Sequence, residues 1–202
     1  MATHAMLCLC DLCNHLRFNA LHVTKVRALL RLPHYKKGSL ECDNVILLAK
    51  ERRGTCKNQF NLPGGKLKKN HMYCPITEII ARLKQEIKMD LNMKDFMKMF
   101  ARKRAVSFIG SLRFFIIDNS IIFIGKLPKG TSRASFNKLI TKDNSRSHIP
   151  KYMQEIECVD YFCYCPYSRC VTGLEDNEHT RKYKVTDLTI KAIINAFYYN
   201  FY

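Results

Sequence analysis

The sequence predicts an α+β fold, a mixed sheet flanked by helices, and three observations carry that reading. Hydrophobic residues make up 47% of a 202-residue chain, enough for a substantial core. Short apolar and β-branched runs alternate with stretches of helical period. Their order along the chain is two strands, a helix, a hairpin, a loop, a strand and a helix.

The elements follow in turn. Residues 1–20 form a short leader bearing cysteine and histidine, and the main domain runs over 21–202. "LHVTKVRALLRL" (21–32) mixes β-branched and basic residues and suits a strand. "PHYKKGSLECDN" carries turn signals, and "NVILLAKER" is a second strand with a charged end. After "RRGTCKNQF" comes the turn "LPGG". Residues 75–91 read as a helix: Pro75 suits its first turn, and Ile76, Ile79, Ile80, Leu83, Ile87 and Leu91 share one face. From Arg104 to Lys126, two apolar runs flank Asp118-Asn119-Ser120 as a β-hairpin. Residues 129–150 are polar and basic and read as a long loop with room for a helical piece. "EIECVDYFCY" (155–164) is a strand, and 186–199 a helix capped by Thr186 or Asp187.

Lysine and arginine number 34 against 17 acids, a formal net charge of +17. Such an excess attracts polyanions, so nucleotide phosphates, RNA or an acidic protein are the natural partners. The competing reading is a lysine-rich solvated surface with no ligand. No stretch approaches the ~20 apolar residues of a membrane span. The nearest, "FIGSLRFFIIDNSIIFIG", is interrupted by Arg113 and Asp118. "MLCLCDLC" makes a poor signal peptide, so the expectation is a soluble, intracellular protein, cytoplasmic or nuclear, with no membrane partner.

Six of the ten cysteines fall in two clusters, "CLCDLC" and "CYCPYSRC". A knuckle of Cys10 and Cys13 joined to Cys165 and Cys170 would make a tetrahedral structural zinc site. The alternative is a set of reduced, buried thiols.

"NVILLAKERRGTCKNQFNLPGGKL" (44–67) resembles the approach to the catalytic motif of Nudix hydrolases, and "EIECVDYF" resembles a later strand of that family. The eroded motif and lysine-rich composition are also similar to Nudix-like proteins of large DNA viruses. The resemblance spans about residues 21–200 and is sharp only over Leu62–Lys66. It implies an α/β/α sandwich and hydrolysis of a diphosphate linkage. Such chemistry requires neutralised phosphates and a water aimed at phosphorus, commonly with Mg²⁺ or Mn²⁺ on helix glutamates.

Carried over residue by residue, the resemblance makes Glu86 a catalytic acid and metal ligand, with Gly65, Glu78 and Gln85 as further ligands. Lys66, Lys68 and Arg82 would hold the diphosphate. Glu155 would be the general base, and Glu157, on the same side of an ideal strand, competes for that role. The departures are plain. With Leu83 at the apolar centre of the family helix, Gln85 and Glu86 stand at its Glu-Glu, Arg82 at the preceding Glu, Ala81 at its Arg and Lys88 at its Gly. Without a gap, His71 falls at the loop glutamate. Arg82, between Glu78 and Glu86, would compete with a cation for both.

The expected function is therefore a Nudix-type hydrolase acting on an ADP-ribose-like compound or an mRNA cap. The alternatives are a degenerate domain that binds nucleotide or RNA without cleaving it, and a basic interaction protein.

Overall fold

A computed structural model describes residues 10–19, 21–32, 35–37, 40–42, 45–67, 74–102, 111–146, 156–165, 170–173 and 184–198. In chain order the first half contains α1 (Asp11–Phe18), β1 (Lys25–Leu32), β2 (Tyr35–Lys37), β3 (Leu40–Cys42), β4 (Val45–Glu51), β5 (Phe60–Asn61) and β6 (Gly64–Lys66). Then come α2 (Pro75–Ile87), α3 (Met93–Phe100), β7 (Phe114–Ile117), β8 (Ser120–Lys126), α4 (Arg133–Arg146), β9 (Ile156–Cys165), β10 (Cys170–Gly173) and α5 (Asp187–Tyr198).

Eight strands make one mixed sheet in the order β10-β9-β4-β1-β8-β7, with β5 paired to β4 and β6 to β1. Only β1 and β8 run parallel among these pairs. Alternation along the strands divides the core in two. Val26, Ala28 and Leu30 of β1 face the layer of α1, α2, α3 and α4. Leu29 of β1, with Ile46, Leu48 and Ile122, faces Ala192, Ile193 and Ala196 of α5. The result is the expected sandwich, helices on both faces of a mixed sheet.

Several elements differ from the sequence reading. The helix expected over 75–91 ends at Ile87, because Lys88 turns left-handed at φ 60° and Met89 donates its N–H back to the Leu83 carbonyl at 3.1 Å. A separate helix, α3, then starts at Asn92, whose side chain accepts from the Asp95 N–H at 2.9 Å. It buries Phe96, Met99 and Phe100, and Gly125 on β8 leaves the room that the Phe100 ring occupies. The helical piece allowed within 129–150 is α4, which takes up most of that stretch; its described buried stripe is only Phe136 and Ile140, too narrow to mark its length by period. The "PHYKKGSLECDN" turn carries the small β2–β3 ladder, and β10 adds an outer strand. The hairpin is as expected: Asp118 and Asn119 both take positive φ, the geometry of a tight two-residue turn. The leader is not peripheral, for α1 buries Leu12, Cys13 and Leu16 in the main core. Among the described residues no helix is long and apolar enough to cross a membrane.

Candidate active site

The glycine bend is placed by strand pairing. β6 lies antiparallel on β1 with Arg27 opposite Gly64 and Val26 opposite Gly65. A Cβ on Gly64 would collide with the Val26 carbonyl and come within 2.7 Å of the Arg27 Cα, and its φ of +141° is open to glycine alone. The bend is thus pressed flat on the central strand. Helix α2 passes over it, and the buried Glu86 accepts the Gly64 N–H on Oε2 at 2.8 Å. Placing a carboxylate in the last turn of a helix opposes the helix dipole, so that bond and nearby cations must compensate.

A half-buried cation, Arg27, lines the same hollow as Glu86. Its guanidinium donates to the Leu62 carbonyl at 2.7 Å. Burial pulls its pKa below the ordinary value, and the charges of Glu51 and then Glu86 pull it back. Glu51, the last residue of β4, accepts from Asn61 Nδ2 at 2.6 Å. Asn61 Oδ1 in turn receives the hydroxyls of Thr186 and Thr189, so the start of α5 is tied to the residue before "LPGG". Glu51, Arg27, Glu86 and both bend glycines line one cavity of about 540 Å³. Lys25, Arg53, Lys66 and Arg82 add positive charge to its walls.

The expected site residues divide. Gly65, Lys66, Arg82 and Glu86 come together around this cavity. Glu78 does not line it; it pairs with Arg82 at 3.0 Å, and Arg82 also donates to the Lys66 carbonyl at 3.1 Å. Arg82 is therefore the cation that Glu78 meets in this structure. Gln85 is exposed and outside the cavity lining. Glu157 pairs with Lys50 at 3.1 Å and is also absent from the lining, whereas its neighbour Ile156 is present. Lys68, His71 and Glu155 lie outside the described residues, as do the side chains of Cys165 and Cys170.

Glu51, Arg27 and Asn61 were not singled out by sequence. One signal existed, an arginine in the middle of an apolar strand, but the register that aims it at the bend is tertiary. Sequence alignment of Lys88 with the family glycine has a geometric counterpart: Lys88 holds the left-handed conformation that glycine favours.

A second cluster sits at the other end of α2. The sulfurs of Cys10, Cys13 and Cys74 all lie within 4.8 Å of one another, and among the described residues this is the one group of three or more Cys, His, Asp or Glu so arranged. Cys74 is the N-cap of α2. A hydrogen bond from Cys13 lowers its pKa to about 5, aided by the backbone N–H groups of Thr77 and Ile76 and opposed by burial. Cys13 correspondingly keeps its proton, its pKa raised chiefly by that same bond. The expected zinc pair Cys10 and Cys13 is thus together, with Cys74 as its third described member.

No family model and no curated protein sequence matches the chain. Solved structures do. A MutT/nudix family protein from Enterococcus faecalis is 13% identical, with a TM-score of 0.51, covering 94% of this chain and 69% of that one. A MutT NUDIX hydrolase from Burkholderia pseudomallei is 14% identical, with a TM-score of 0.35, over 83% of this chain and 95% of that one. A bifunctional NMN adenylyltransferase/ADP ribose pyrophosphatase from Francisella tularensis is 13% identical, with a TM-score of 0.38 over 92% of this chain, which spans 44% of that protein. The Enterococcus structure carries the comparison, and on it this chain has a Nudix-like fold, a mixed sheet between helices.

Proposed function

We propose that the protein is a Nudix-type hydrolase that cleaves a diphosphate linkage in a nucleoside diphosphate derivative, of the ADP-ribose or mRNA-cap class. The observation that carries this reading is Glu86: buried, bonded to the glycine bend, and opening with Glu51 on a strongly basic cavity. A mere structural turn has no need to fix a carboxylate against the helix dipole beside a ligand-sized hollow.

The donor set suits Mg²⁺ or Mn²⁺. Glu51 and Glu86 are hard oxygen ligands, and such ions commonly take one or two carboxylates while substrate phosphates and water supply the rest. When bound, the ion would neutralise phosphate charge and make a coordinated water easier to ionise. The protein's own groups do the remainder. The Gly64 N–H and the Asn61 amide hold the two acids in fixed orientations. Lys66, Arg53 and Arg82 offer cations to the diphosphate. As water bonds to phosphorus the bridging P–O bond breaks, and the water proton passes to a carboxylate. Glu155, implied by the resemblance, and Glu51, on the cavity wall, are the two acids for that role.

Among the described residues, five basic side chains against two acidic ones line the cavity. That balance disfavours a lone dication and favours one that arrives with a polyanion. Metal uptake is therefore expected to depend on nucleotide.

The test is phosphate release from ADP-ribose, dinucleotides and capped RNA with Mg²⁺ or Mn²⁺. Glu86→Gln should lower kcat/KM by at least ~10²-fold. Equal turnover by wild type and variant would remove the proposed site. A nucleotide that raises Tm without being consumed would favour the degenerate binding domain.

A further inference from the structure

We propose that Cys10, Cys13 and Cys74 form a thiolate site for a zinc-class dication that fastens helix α1 to the first turn of α2. Three observations carry it. The sulfurs are grouped on the right scale: all lie within 4.8 Å of one another, and Cys10 Sγ is 3.5 Å from Cys74 Sγ. Zinc–sulfur bonds of ~2.3 Å in a tetrahedron set sulfurs ~3.8 Å apart, so seating the ion needs only small shifts. Cys10 and Cys13 have the two-residue spacing of a metal knuckle, with Cys10 just before α1 and Cys13 in its first turn. Cys74 arrives from 61 positions beyond Cys13 and occupies the N-cap of α2, its sulfur turned toward Cys10 and Cys13.

That last point separates a site from packed thiols. A helix start ordinarily recruits Ser, Thr, Asp or Asn. Here a sulfur stands there instead, facing two others, at a helix end whose dipole favours a negative ligand. Oxygen-preferring ions do not suit this set; soft or borderline ones do. Binding displaces thiol protons to solvent and involves no oxidation. The fourth position falls to water or a further ligand. The ion would hold the leader against the helix that carries Arg82 and Glu86, which gives α1 a reason to lie in the core.

The full chain, purified under reducing conditions and dialysed against a weak chelator, should retain about one zinc per chain by elemental analysis. Co²⁺ added to the metal-stripped chain should give thiolate-to-metal charge-transfer absorption. Cys10→Ser with Cys13→Ser, and separately Cys74→Ser, should each abolish that band. Cys158→Ser, in β9 and outside the cluster, should leave it unchanged. Because serine variants can fail to fold, wild type is also stripped and reloaded, and Tm should rise by more than about 5 °C on adding Zn²⁺. No retained metal and no cobalt band would overturn the proposal. So would a band that survives loss of Cys74, or a Cys10–Cys74 disulfide in protein isolated with its thiols blocked at lysis. The readouts are independent of turnover, so hydrolysis can fail while this site stands.

Discussion

The two ends of helix α2 solve opposite electrostatic problems. At its start, Cys74 puts a readily ionised sulfur where the helix dipole welcomes negative charge, so local and global preferences agree. At its end, Glu86 puts a buried carboxylate where the dipole resists it, and the Gly64 N–H and Arg27 must compensate. Agreement is what the proposed structural fastening at Cys74 would show. Conflict sustained by specific partners fits the proposed active site, because replacing such a carboxylate by an apolar side chain is often neutral or stabilising. The positions are twelve residues apart, about 18 Å along the helix, so one cation cannot serve both. Soft sulfur and hard oxygen divide the helix between them.

The contrast can be broken most severely at the bend. Gly64→Ala should cost about 3 kcal/mol or more in urea unfolding, since its Cβ meets immovable β1 backbone and its φ is unsuited to alanine. Gly65→Ala should be milder, because the neighbouring atoms belong to the Arg82 guanidinium at 3.1 Å, which can move. Equal costs at the two positions would show that the bend is not pressed on β1. Next comes Arg82→Met, which leaves Glu78, 14% exposed, without its ion-pair partner. A loss of about 1–3 kcal/mol is expected, together with a smaller nucleotide-induced rise in Tm. Unchanged nucleotide response would remove Arg82 from the binding wall. The smallest effect concerns the stop of α2. Lys88→Gly should raise stability by about 0.5–1 kcal/mol, because glycine takes φ 60° without the Cβ penalty. A loss of stability there would mean that the Lys88 bond to the Gln85 carbonyl at 2.8 Å outweighs the backbone strain.

Much of the scaffold was readable because its signals are local. "NVILLAKE" and "EIECVDYFCY" are apolar runs of strand length, and Ile76, Ile79, Leu83 and Ile87 recur at helical period. The elements that escaped or were read only in part have weak local patterns. Helix α4 shows a narrow stripe, and α3 continues an apolar periodicity that Lys88 interrupts only through its backbone. The candidate site was legible to the same degree. "LPGGK" and Glu86 sit where their spacing implied, but Glu78, on the same stripe, is taken by Arg82. Helical spacing assigns a face, not a partner.

From the sequence alone came the layered α+β architecture, the net charge of +17, and the acid that meets the glycine bend. Those follow from short-range periodicity, composition and one compact motif. The tertiary structure alone decided that Glu51 and Arg27 join Glu86, and that Cys74 completes the thiol group begun by Cys10 and Cys13. Each of these contacts links segments far apart in the chain. Strand register and helix docking set them, and both depend on how the whole core packs.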